Sequence, residues 1–221
     1  MGEFLELQAL PERTVPDLLD RSRRFGLDRP FVIDLASDTT LSYGAFLSRV
    51  AGAAGALAER FAPGALIGVM LPNKLDYVIL RYALSCAGLV EVALNPAHRG
   101  EVLRGMLETA LPVAVILEGR FRENIEASGF DLGGVALIEE GELAALCEIE
   151  GDWEDRPRPA LGPGTAGRVI FTSGTTGVSK GAELSHAYEV YTGERIIHRL
   201  GYGPEDRCLY VTPIFHVDAL V

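Results

Sequence analysis

What the chain has little of narrows its class first. It holds three cysteines in 221 residues, Cys86, Cys147 and Cys208. That number is odd and the three lie far apart, so neither a disulfide framework nor a metal site is expected; the thiols read as reduced, in a cytoplasmic protein. Basic residues are scarce: 20 Lys and Arg stand against 31 Asp and Glu, a net charge of −11. That balance argues against nucleic acid or a membrane surface as partner. Long apolar runs are missing too. The most apolar stretch, residues 77–94, is interrupted by Arg81 and Glu91, so it is no membrane span. The first ten residues carry Glu3 and Glu6 and no basic residue, unlike a secretory signal. Gly2 is followed by Glu6 where a myristoylation site needs Ser or Thr. There is no internal repeat.

What is present suits a sizeable core, since 48% of the residues are hydrophobic. Thr14 and Asp17 form a capping box for a helix with Leu18, Leu19, Ser22 and Phe25 on one side. Residues 31–35 and 39–41 read as two strands turning near Asp38. Ser42 then caps a helix that buries Phe46, Val50, Ala53 and Leu57. From residue 65 strands and helices alternate. Strands are expected at 65–71, 90–94, 113–117 and 135–138. Between them, Asn73 is expected to cap a helix carrying Leu75, Val78, Ile79, Tyr82, Ala83 and Cys86, and residues 99–110 place Val102, Leu103, Met106, Leu107 and Ala110 on one side. Weaker helices are expected at 121–127 and 142–149. Residues 151–167, rich in Gly and Pro, read as a loop, and the acidic residues from Glu148 to Asp155 as a solvated face. Ser185 caps a last helix with Ala187, Val190, Ile197 and Leu200 inward, and 208–211 reads as a final strand. The fold class is therefore α/β, a mostly parallel sheet flanked by helices.

The most informative stretch is residues 168–181. Val169, Ile170 and Phe171 form a short buried strand, and Thr172, Ser173, Gly174, Thr175, Thr176, Gly177, Val178, Ser179, Lys180 and Gly181 follow at once. Glycines let successive backbone N–H groups face one way and make a nest for an anion. The hydroxyls add donors and Lys180 a positive charge, a set suited to phosphates. Three other patterns fail. In the Walker loop a Gly-Lys pair precedes Ser or Thr, whereas here Ser179 precedes Lys180. Gly162 to Gly167 matches G-x-G-x-x-G but lies before a strand instead of after one. Gly177 to Gly181 matches the G-x-S-x-G elbow of α/β-hydrolases, with Asp206 and His216 following in order, but Ser179 sits well beyond the strand end.

Thr172-Ser173-Gly174-Thr175-Thr176-Gly177, then Lys180-Gly181, resembles the phosphate loop of the adenylate-forming (AMP-binding) superfamily, which includes the acyl-CoA synthetases. Leu184-Ser185-His186 and Pro213-Ile214-Phe215-His216 are similar to that family as well. Ser179 departs from it, since many relatives carry Pro before the Lys. The resemblance covers nearly all of the chain but less than half of a family member. It implies an incomplete N-terminal domain over residues 1–221: an opening helix-hairpin-helix (1–62), alternating strands and helices (63–150), a loop (151–167) and the phosphate loop through the acyl-pocket segment (168–221). It implies that ATP and a carboxylic acid form an acyl-adenylate and pyrophosphate, and that coenzyme A then takes the acyl group. Thr172, Ser173, Gly174, Thr175, Thr176, Gly177 and Lys180 would hold ATP. Phe215, His216 and Asp218 would line the acyl pocket, and His186 would support a helix start. Phe215-His216-Val217-Asp218 looks most like the carnitine and crotonobetaine CoA ligase branch, where Asp218 would favour a cationic acid. No Tyr-Gly-x-Thr-Glu follows His216, so the family's Mg2+ ligand is absent and no complete catalytic set is expected. The chain alone is then expected to be inactive. The alternative is a non-catalytic phosphate-binding module that self-associates through an unfinished sheet.

Overall fold

The computed structural model describes residues 14–172, 180–203 and 205–216. Helix α1 (Val15–Ser22) opens on the expected capping box, in which Thr14 and Asp17 satisfy each other's backbone N–H groups. Strands β1 (Pro30–Asp34) and β2 (Thr39–Ser42) pair antiparallel as a separate hairpin, with Asp38 in the left-handed region at its turn. Ser42 caps α2 (Tyr43–Arg60), whose buried face is the expected Phe46, Val50, Ala53 and Leu57.

The main sheet follows from alternation. β3 (Leu66–Met70), α3 (Leu75–Ala87), β4 (Val90–Ala93), α4 (Gly100–Ala110), β5 (Ala114–Leu117), α5 (Arg122–Glu126), β6 (Ala136–Ile138) and α6 (Glu140–Glu148) come in order, then β7 (Ala166–Thr172), β8 (Lys180–Ser185) and α7 (His186–Leu200). Six strands form one sheet in the order β6-β5-β3-β4-β7-β8. All neighbours are parallel except β7 and β8. β4 lies on one side of β3 and β5 on the other, so the strand order reverses between β3 and β4.

Period-two side chains split the core into two layers. Ile67 and Val69 of β3, with Ala114 and Ile116 of β5, face α2, α3 and α6. Val92 of β4, with Val115 and Leu117 of β5, faces α4 and α5. Both faces are covered, which is why β3 and β5 read as apolar runs and β4 is broken only by the paired Glu91. Each fully buried Leu or Ile contributes roughly 1.5–3 kcal/mol.

Several expectations are corrected. Asn73 does not cap α3: Lys74 is the N-cap residue, with no side-chain cap bond, and Asn73 instead binds backbone near residue 214. Leu18, Phe25, Val102, Ile197 and Leu200 are exposed. The short α1 buries only Val15 and Leu19, so its apolar stripe is narrower than the pattern suggests. Residues 208–211 form no strand. Leu209 and Val211 are 75% and 77% exposed, and a strand needs a ladder partner that this segment does not find. β8 was not expected; residues 180–185 pair along β7 as an exposed edge. Residues 151–167 are not only loop. Trp153 is buried in a short 3-10 turn, where its indole N–H donates to Asp20 at 2.6 Å, and β7 already begins at Ala166.

Candidate functional site

β7 runs parallel to β4, in the register Glu91↔Arg168 to Ala93↔Ile170, so its carboxyl end opens on the same edge as those of β3, β4 and β5. Ligands of open α/β sheets bind along that edge. β7 then turns back into β8. The ladder pairs Phe171 with Gly181 and Thr172 with Lys180, so these last two residues face each other at the mouth of the hairpin. Lys180 is exposed and opens β8. Ser173, Gly174, Thr175, Thr176 and Gly177 lie outside the described residues, as do the Thr172 side chain and Asp218.

Beneath this edge sits a buried ionic cluster. Glu91 on β4 accepts a hydrogen bond from the Tyr77 hydroxyl at 2.7 Å and one from Arg81 at 2.5 Å. Arg168 on β7 approaches the same carboxylate at 3.5 Å. Arg81 also pairs with Glu189 on α7. Two guanidinium groups thus meet two carboxylates, which balances the charge of a buried site. Burial would raise the Glu91 pKa. The Arg168 and Arg81 charges and the bonds from Tyr77 and Arg81 outweigh it and hold the carboxyl below its ordinary value. Burial pushes the Tyr77 hydroxyl well up. His186, the first residue of α7, is buried beside this cluster, and its Nδ1 accepts the Val15 N–H at 3.3 Å. Its side chain thus holds the start of α1, whereas Ser185 caps α7 by accepting the Tyr188 N–H.

The segment carrying Phe215 and His216 reaches the same edge. The 213–216 turn is closed by the His216 N–H donating to the Pro213 carbonyl at 2.9 Å. Ile214 is buried, Phe215 half-buried against the larger core layer, and His216 exposed. His216 therefore closes a turn, since the strand expected at 208–211 does not form. The Ile214 N–H donates to Asn73 Oδ1 at 2.7 Å, and Asn73 Nδ2 donates to the Thr212 carbonyl at 2.9 Å. Arg168 Nη2 donates to the Ile214 carbonyl at 2.6 Å. Alongside lies a groove of about 710 Å3 lined by Phe31, Tyr43, Val78, Ile197, Tyr210 and Ile214 among others.

Asn73, Arg81, Glu91 and Arg168 were not singled out as site residues from the sequence. For Arg81, Glu91 and Arg168 the signal was there, charges inside otherwise apolar core segments where an unpaired one is costly; neutral Asn73 gave none. Among the described residues no group of three or more His, Cys, Asp or Glu side chains could hold a metal ion. Cys86 and Cys147 are buried free thiols, pushed up to about 12 by burial first of all; Cys208 is an exposed free thiol. No helix among the described residues is long and apolar enough to cross a membrane.

Known proteins share this architecture. The N-terminal domain of FACL13 from Mycobacterium tuberculosis superposes with a TM-score of 0.85 at 22% identity, over 95% of this chain and 53% of that one. ATP-bound MatB from Rhodopseudomonas palustris gives 0.78 at 22% identity, over 93% of this chain and 42% of that one. In sequence, the chain is 29% identical over 212 residues to a medium/long-chain-fatty-acid–CoA ligase, FadD17, from Mycobacterium marinum. The match takes in 94% of this chain and 40% of that ligase, so the chain spans about two fifths of the relative's length. Residues 18–221 match the AMP-binding enzyme family, and the chain belongs to that family, on its acyl-CoA ligase-like side.

Proposed function

We propose that this chain carries the phosphate-gripping part of an ATP-dependent acid–thiol ligase, which activates a carboxylic acid as its adenylate and passes the acyl group to coenzyme A. The observation that carries the reading is the pairing of Thr172 with Lys180 at the carboxyl end of β7. It brings the two ends of the glycine- and hydroxyl-rich segment together on the edge where such sheets bind ligands. An exposed ammonium group then stands at the mouth of a hairpin rich in N–H and O–H donors.

In this reading Thr172, Ser173, Gly174, Thr175, Thr176 and Gly177 donate to the β- and γ-phosphates, and Lys180 offsets their charge. The first step needs the triphosphate held still while the carboxylate attacks the α-phosphorus. Positioning and charge neutralisation supply most of that. Phe215, His216 and Asp218 line the acyl side. The described residues offer no set of ligands for magnesium, so no step is assigned to it here. None of the relatives named above points to a betaine-like acid, and we propose a carboxylic acid without a narrower class. The spans 1–62, 63–150, 151–167 and 168–221 serve as opening, sheet, connector and site segments in the same reading.

The test is ATP–pyrophosphate exchange with a panel of carboxylic acids, using the full open reading frame that encodes these residues. Acid-dependent exchange is expected. Its absence with every acid, while ATP still binds, would leave a phosphate-binding module and no ligase. The 221 residues alone are expected to bind ATP at about millimolar or weaker, because a few charge-assisted hydrogen bonds are offset by ordering a glycine loop.

A further inference from the structure

We infer that Asn73 and Arg168 are positioning residues: together they clamp the peptide groups around Ile214 and so fix Phe215 and His216 relative to the phosphate hairpin. The inference rests on the ligase reading for what Phe215 and His216 do, and on geometry alone for how they are held.

Residues 206–211 that precede the turn have no regular structure, and Leu209, Tyr210 and Val211 are exposed. No strand ladder holds the segment at the sheet. Among the described contacts, three side-chain hydrogen bonds fasten its turn there. Asn73 accepts the Ile214 N–H at 2.7 Å and donates to the Thr212 carbonyl at 2.9 Å, and Arg168 donates to the Ile214 carbonyl at 2.6 Å. Both polar groups of Ile214 are thus taken by side chains from other elements, while the Ile214 side chain is buried in the larger core layer. A buried peptide group needs such partners.

The two clamping residues are themselves fixed to the site. Asn73 follows β3 at the point where the strand order reverses. Arg168 lies on β7, and the strand reaches Thr172 roughly 13 Å further on at about 3.3 Å per residue. The Arg168 Nη2 that donates to Ile214 also lies 3.5 Å from Glu91, which Tyr77 and Arg81 hold in turn. One side chain therefore touches both the acyl-side turn and the charge cluster under the phosphate strand. Movement of Phe215 and His216 away from that strand would break a bond to a buried guanidinium.

Two measurements test this. On the 221-residue chain, amide hydrogen exchange is followed in Asn73→Ala and in Asn73→Asp, which keeps the acceptor for the Ile214 N–H. The Ile214 amide is expected to exchange about tenfold faster or more in Asn73→Ala and to stay near wild type in Asn73→Asp, with the Leu94 amide on β4 unchanged in both. In the protein from the full open reading frame, Asn73→Ala and Arg168→Lys are expected to raise the KM for the acid by about tenfold while the KM for ATP stays within about twofold. A merely destabilised protein would lose both substrates or its active fraction. An unchanged Ile214 amide overturns the clamp. A loosened amide with an unchanged acid KM overturns its positioning role and leaves the ligase reading intact. If the wild-type protein shows no acid-dependent exchange, the ligase reading fails and takes the positioning role with it, while amide exchange still decides the clamp. If Asn73→Ala does not fold, Arg168→Lys carries both measurements: the Ile214 amide is then expected to exchange about tenfold faster with the Leu94 amide unchanged, and an unchanged Ile214 amide overturns the clamp.

Discussion

Gly52 in α2 faces the carbonyl of Ile149 so closely that a Cβ on Gly52 would stand 2.2 Å from that oxygen. Around this contact the Gly151 N–H donates to the Ser48 carbonyl and the Ser48 hydroxyl donates to the Gly151 carbonyl, each at 3.0 Å. The chain leaving α6 is thus laid backbone to backbone against α2. Gly55, one turn further along the same helix, has nothing within 4 Å of the corresponding position.

That difference predicts opposite signs for two identical substitutions. Gly55→Ala gains helix propensity, about 0.8–1 kcal/mol, with no clash. Gly52→Ala gains the same term but forces the 149–151 segment off the helix, an overpacking cost of about 1–3 kcal/mol or more. Urea unfolding should raise the midpoint for Gly55→Ala and lower it for Gly52→Ala. Equal midpoints would mean that the close approach does not exist in solution.

Glu91 is completely buried between two guanidinium groups. Glu91→Gln keeps the shape and removes the charge. It leaves Arg81 with Glu189 and removes the carboxylate that Arg168 approaches, so a loss of about 3–5 kcal/mol is expected, as for one partner removed from a buried ion pair. The Glu91 pKa is lower in the folded chain than its ordinary 4.5. Its contribution is therefore complete above about pH 4.5 and lost as the pH falls through the folded value. Acid unfolding of Glu91→Gln should show a shallower fall in stability below pH 4.5 than wild type. A parallel fall in the two proteins would remove Glu91 from the account.

The sequence makes some of this plain and hides the rest for physical reasons. Thr14, Asp17 and Ser42 are legible as caps because a cap acts on its own next turn. β3 and β5 are legible because a strand covered on both faces is an apolar run, and β4 despite Glu91 because Val90, Val92 and Ala93 keep the run recognisable. Asn73 is not legible: an Asn after a strand looks the same whether it caps the next helix or binds backbone 139 residues away. β8 hides because an exposed edge strand has no apolar alternation, and residues 208–211 mislead because β propensity supplies no partner. Arg81 and Glu91 looked like interruptions of an apolar stretch, when their pairing across α3 and β4 is what makes burial tolerable. Of the expected site, Lys180, Phe215 and His216 fall on one edge of the sheet, whereas residues 173–177 and Asp218 are outside the described residues.

His186 gives a second pH window. It is 1% exposed, and its Nδ1 accepts the Val15 N–H at 3.3 Å, which requires an unprotonated nitrogen. Burial lowers its pKa below 6.5. Glu189 and Asp17 oppose that shift, and Arg81 reinforces it. With the folded value below the unfolded one, the stabilisation is complete above about pH 6.5 and lost as the pH falls through the folded value. Urea midpoints at pH 7.5 and 5.5 should differ more for wild type than for His186→Asn, which offers an oxygen near Nδ1 and does not titrate. The same pH dependence in the variant would place the titrating group elsewhere.

Lys180 separates stability from binding. Its side chain is exposed at the first position of an edge strand, so Lys180→Ala should change the unfolding free energy by no more than about 0.5 kcal/mol. If the ammonium group meets the triphosphate, its removal costs about 1.5–3 kcal/mol of binding, a loss of roughly tenfold or more in ATP affinity. Lys180→Arg keeps the charge on a longer arm and should retain part of that affinity. Calorimetric titration of ATP into the three proteins at low salt reads both effects, and the difference should shrink as salt screens the charge. Equal ATP affinity for wild type and Lys180→Ala would mean that the hairpin mouth does not face the phosphates, even though Thr172 and Lys180 stand opposite each other across it.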